Sequence, residues 1–224
     1  LHILLDFDLQ FLCIFFILII ALDIWKGKEY QINVNKEILI TSILVISLVY
    51  MYFGLTTFFH YINQNEIATK MYPIYTEANL SLAYNNYQNK QIEEANKIAS
   101  KIIETNQNSE LAYNIKALYY MQNENWKMMI QNKQKAIDVA KYEISNYEEY
   151  VLMLSSAIEY YANNDEDDKM LEYIKLVVEV PSKIEQVKSS TSSISYKIKD
   201  IPDFELSDSV QKYILTMKGV LEND

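Results

Sequence analysis

The chain has 224 residues, half of them hydrophobic, and sets 20 lysines and no arginine against 30 acidic side chains for a formal charge of −10. Three glycines, three prolines, two histidines and one cysteine exclude a glycine-rich phosphate loop, an intramolecular disulfide and a histidine-built metal site or catalytic triad within these residues. So few helix breakers favour long helices, and the predicted fold class is all-α: two transmembrane helices followed by a domain of repeated helix pairs.

Residues 1–24 contain an apolar run from Leu9 to Leu22, 14 apolar or neutral positions preceded by Asp6 and Asp8. Acidic flanks and the lack of a small-residue cleavage site argue against a secretory leader, so the run is expected to be the core of a membrane helix. The chain starts inside this pattern, at Leu1 rather than Met, and is expected to be part of a longer protein. Residues 25–37 form a short polar loop with Lys26, Lys28 and Lys36, flanked by Trp25 and Tyr30 at interface depth. Residues 38–59 carry no charge over 22 positions, and about 20 apolar residues cross a hydrocarbon core, so 38–60 is the second expected span. Short lysine-rich loops stay cytoplasmic. Both ends of the chain are therefore expected outside, with the C-terminal part extracytoplasmic and the cytoplasmic membrane as its location.

Residues 61–188 change to amphipathic helices with polar turns. "NKQIEEANKIASKII" (89–103) and "NENWKMMIQNKQKAI" (123–137) superpose at an offset of 34, pairing Ile92 with Trp126 and Ala95 with Met129. "DDKMLEYIKLVVEVP" (167–181) gives a third copy after seven inserted residues, matching through Leu154, Ala157, Tyr161, Met170 and Val177 and ending at Pro181. The residues expected to pack between repeat helices are Ala83, Ala95, Tyr113, Ala117, Tyr120, Trp126, Ala136 and Met170. In period and in these small and aromatic positions the segment resembles tetratricopeptide repeats, whose resemblance implies stacked helix–turn–helix units forming an α-solenoid. Residues 189–224 are expected to be a polar connector ending in a short helix.

No catalytic constellation emerges. Residues 62–224 hold no His, Cys or Arg, and pairs such as Glu93–Glu94 and Glu148–Glu149 point about 100° apart on a helix, so they are expected on solvated faces. "NNDEDDK" (163–169) lacks the alternation and glycine of a calcium loop and reads as an acidic turn. No cofactor or metal is expected. First-helix residues Asn79, Asn114 and Tyr150 are candidates to line a groove. With 25 acidic side chains against 17 lysines in residues 62–224, nucleic acid is not an expected partner. Membrane lipid, and a protein or glycan on the extracytoplasmic side, are.

The tail "SSTSSISYKIKDIPDFELSDSVQKYI" (189–214) and the order of parts resemble the C-terminal region of bacterial O-antigen ligase/polymerase-like membrane proteins that carry tetratricopeptide repeats. "HILLDFDLQFLCIFFILIIAL" (2–22) is similar to that family's segment entering its penultimate helix, with Asp6 or Asp8 at the acidic position. The resemblance implies a whole protein that transfers or polymerises glycan from an undecaprenyl-linked donor in cell-surface polysaccharide assembly. The family's histidine would fall before Leu1, so no catalytic residue carries over, and this part of the chain is expected to be an interaction domain without catalysis of its own. The alternative is a stand-alone membrane-anchored scaffold with no enzymatic role.

Overall fold

The computed structural model describes residues 35–192 and 204–223, and every regular element among them is a helix. The expected first membrane helix (1–24) and nearly all of the loop (25–37) lie outside the described residues. Helix α1, Lys36–Tyr61, begins two residues earlier than expected because Asn35 Oδ1 accepts the Glu37 N–H at 2.9 Å, an N-terminal cap, and Glu37 favours the positive helix end. It is the one helix among the described residues long and apolar enough to cross a membrane. The described residues therefore hold one candidate span, and the other expected one falls outside them.

The chain divides into two compact units, with the boundary between Tyr52 and Phe53. The second unit begins with the last two turns of α1 and continues through the short helix α2 (Asn65–Met71). Three helical hairpins follow: α3 (Thr76–Gln88) with α4 (Ile92–Thr105), α5 (Glu110–Gln122) with α6 (Trp126–Val139), and α7 (Ile144–Asn163) with α8 (Asp167–Ser190). Each hairpin turn has three residues, and its middle residue is left-handed: Lys90 at φ 61°, Glu124 at 53° and Asp165 at 56°. The residue after it donates its N–H back to the carbonyl of Asn86, Tyr120 or Tyr161, closing the first helix of each pair in the same way.

The 34-residue spacing is visible in the elements themselves. First helices start at residues 76, 110 and 144, and the first two second helices at 92 and 126. The seven extra residues of the third copy lie inside α7, which has 20 residues where α3 and α5 have 13. Seven residues make nearly two helical turns, so the buried face keeps its direction and the turn moves about 10 Å outward.

The third copy also does not end at Pro181. Helix α8 runs through it to Ser190, because Val177 and Val180 before the proline and Ile184 after it are all buried on one stripe. That packing outweighs the lost N–H bond. The C-terminal helix α9 (Asp208–Asn223), at 16 residues, is longer than expected and packs on α8 through buried Leu206, Val210 and Ile214.

Small residues set the approach of the helices. Ala83, Ala95, Ala99, Ala112, Ala117 and Ala136 are each fully buried, which lets backbones come within the 8–10 Å of close helix packing. One core cluster joins α3, α4 and α5; a larger one runs from α5 to α9.

Candidate functional site

The first helices of the three hairpins line one cleft of about 390 Å³. Tyr84 and Tyr87 come from α3, Leu111, Asn114, Leu118 and Met121 from α5, and Glu149, Leu152, Met153 and Ser156 from α7. Spacings of three, four and seven place each set on a single helix face. Leu152 is 60 % exposed, Tyr84 46 % and Leu111 37 %, so the wall is apolar yet open to solvent. Glu149 is the charged residue of the lining.

Beneath that wall lies a polar network. Lys133 of α6 is fully buried, and its three ammonium protons match three acceptors: Asn114 Oδ1 at 2.7 Å, Asn146 Oδ1 at 2.9 Å and Glu149 Oε2 at 2.5 Å. Asn146 Nδ2 in turn donates to Glu110 Oε1 at 2.7 Å, and Asn114 Nδ2 donates to the same oxygen at 3.2 Å. Burial lowers the Lys133 pKa, while the hydrogen bond and charge of Glu149, and then Glu110, push it back up. Two carboxylates against one ammonium leave the network a formal charge of −1. Its amine is enclosed and triply bonded, so it holds α5, α6 and α7 in register rather than offering a nucleophile.

The expected groove residues part company here. Asn114 lines the cleft and joins the network. Tyr150 does not line it: the ring is buried, Gln134 Nε2 donates to its hydroxyl at 3.4 Å, and it borders a different hollow with Lys183. Desolvation raises the Tyr150 pKa to about 12. Asn79 does not line it either, because its Nδ2 is spent on the carbonyls of Pro73 (2.9 Å) and Tyr75 (2.8 Å) at the start of α3.

Of the residues expected between helices, Ala83, Ala95, Ala117 and Ala136 are fully buried and Trp126 is nearly so, its ring 5.5 Å from that of Tyr160 on α7. Tyr120 and Met170 are half-buried against the larger core, and Tyr113 is half-buried on α5. Glu149 is exposed and Glu148 partly so, as expected for a solvated helix face, yet both carboxylates are also engaged. Glu149 binds buried Lys133, and Glu148 Oε1 accepts the Ser207 N–H at 2.6 Å, tying the start of α9 to α7. The acidic stretch is a turn: Asp165 takes its left-handed position, Asp167 and Asp168 occupy the first turn of α8, and Glu166 pairs with Lys169 at 2.6 Å.

Sequence reasoning missed Lys133, Asn146 and Glu110. A signal was present: Met129, Asn132, Lys133 and Ala136 form an i, i+3, i+4, i+7 stripe, so the lysine sits where a buried residue belongs. Comparison with protein-family models, with curated proteins and with solved structures returns no match.

Proposed function

We propose that this chain is a membrane-anchored interaction module built of tetratricopeptide-like repeats, and that the cleft across α3, α5 and α7 binds an extended peptide segment bearing apolar side chains and a lysine or arginine. The observation that carries this reading is the cleft itself: an open apolar wall supplied by three successive first helices, with Glu149 as its charge. The first helices carry Glu77, Glu110, Glu148, Glu149 and Glu159 against the single cation Lys116, a balance that attracts a positive ligand.

The repeat reading is supported by the starts at residues 76, 110 and 144. Anchoring is supported by the length and apolarity of α1. An extracytoplasmic position for the module is supported by Lys26 and Lys28 in the short loop and Lys36 at the start of α1. The resemblance in order of parts supports a place at the C-terminal end of an O-antigen ligase/polymerase-like protein, where the module would recruit a protein partner for cell-surface polysaccharide assembly.

The test is titration of the full chain in detergent with a fluorescent heptapeptide of alternating leucine and lysine, beside its leucine–glutamate counterpart. The basic probe should bind at roughly micromolar strength, as weak transient contacts do. Leu152→Lys, at an exposed position, should weaken it about tenfold through like-charge repulsion. Equal binding of both probes, or an unaffected variant, contradicts the reading.

A further inference from the structure

The stretch that follows α1 folds back along it. Asn63, left-handed at φ 60°, reverses the chain after Tyr61, and Gln64 N–H donates to Phe59 O at 2.8 Å. His60 Nδ1 lies 2.6 Å from Asn65 Oδ1, and the His60 and Tyr75 rings are 5.3 Å apart. Farther back, the Tyr72 ring meets that of Phe53 edge-on at 5.4 Å. Phe53 stands eight residues before the end of α1, about 12 Å at 1.5 Å per residue. The contact therefore carries the Tyr72 ring back from the helix end toward Phe53.

A span that starts at Ile38, just after Lys36 and Glu37, uses up about 30 Å of hydrocarbon near Thr57. Phe53 then lies within the apolar layer, and the returning segment reaches toward it through the Tyr72 ring. Its composition suits that place. Tyr61 is 84 % exposed, Ile62 43 %, Ile67 39 % and Ile74 51 %, a concentration of bare apolar side chains continuous in sequence with α1. Glu66 and Lys70, the charged residues of 62–75, pair at 4.0 Å.

Backbone at such a depth must find partners within the protein. Here Tyr72 N–H donates to Ala68 O, Tyr75 N–H to Tyr72 O, and Asn79 Nδ2 satisfies the Pro73 carbonyl.

We propose that residues 61–75 form a lipid-binding surface, with Tyr61, Ile62, Ile67 and Ile74 seated in the bilayer interface beside α1. The occupant is the lipid bilayer rather than a protein, because the bare residues extend the apolar surface of a membrane-length helix and show one mutually paired charge couple. The inference rests on the reading of α1 as a membrane span.

It is tested on the full chain with Cys13→Ser, reconstituted in phosphatidylglycerol–phosphatidylethanolamine vesicles and spin-labelled singly at Leu48→Cys, Ile67→Cys, Ile74→Cys or Lys101→Cys. Collision rates with oxygen and with a polar nickel chelate report depth. The oxygen-to-nickel ratio at 67 and 74 should exceed that at exposed Lys101 by about tenfold, since the polar reagent is excluded from apolar surroundings. The ratio at 48 should be higher still. Ratios at 67 and 74 equal to that at 101, with 48 in lipid, overturn the lipid-binding surface and leave the span standing. An aqueous ratio at 48 overturns both.

Discussion

Lys90, Glu124 and Asp165 occupy left-handed turn positions where a Cβ is strained and glycine is not. An L-residue there gives up about 1–2 kcal/mol, part of which glycine returns as extra freedom of the unfolded chain. Lys90→Gly and Glu124→Gly should each stabilise the protein by about 0.5–1 kcal/mol, measured as a higher urea midpoint at unchanged slope. The buried network makes an asymmetric prediction. Lys133→Ala leaves Glu149 half exposed to water, so its cost is about 2–3 kcal/mol, below that of a fully buried pair. Glu149→Ala instead leaves an enclosed ammonium with amide acceptors alone and should cost more, about 3–5 kcal/mol. The pH sign follows from the lowered Lys133 pKa: between the folded value and the unfolded 10.5 the unfolded chain binds more protons, so stability rises with pH. The deficit of Glu149→Ala should therefore shrink as pH rises toward 10.5 in parallel urea titrations.

At the scale of elements, α6 is fixed to α7 by Trp126 against Tyr160, and the indole N–H finds no partner among the described residues. Trp126→Ala should cost about 3–5 kcal/mol, and Trp126→Phe distinctly less, because the lost nitrogen was bonded to nothing. Thermal melts of the two variants by helical circular dichroism would separate them. A Trp126→Ala protein that melts like its parent would place Trp126 outside the core.

The helix pairs were legible because their signals are local: a 34-residue offset, apolar stripes, and small residues at 83, 95, 117 and 136. The position of the seven-residue insertion was not legible. Two added turns leave the stripe of α7 in phase, so no sequence pattern marks where they enter. Nor was the fate of Tyr150 and Asn79, which depends on which neighbour each side chain meets. Tyr150 finds Gln134 sixteen residues away, and Asn79 finds the carbonyls of Pro73 and Tyr75. The cleft was half legible, since first helices were its expected lining, whereas the ion pair that exposed Glu149 makes with buried Lys133 was not.

Across the whole molecule, three hairpins are arranged so that one side chain set from each first helix meets in a common cleft, and α9 packs on α8. A single hairpin of this size cannot bury its apolar face alone, so the cleft exists only as a property of the stack. Whether this cleft is the binding face is read by amide hydrogen exchange of the full chain in detergent, with and without the leucine–lysine heptapeptide. Peptide bound in the cleft should slow exchange in α3, α5 and α7 and leave α4 and α6 unchanged. Protection confined to α8 and α9, or no protection while the peptide is bound, would contradict it.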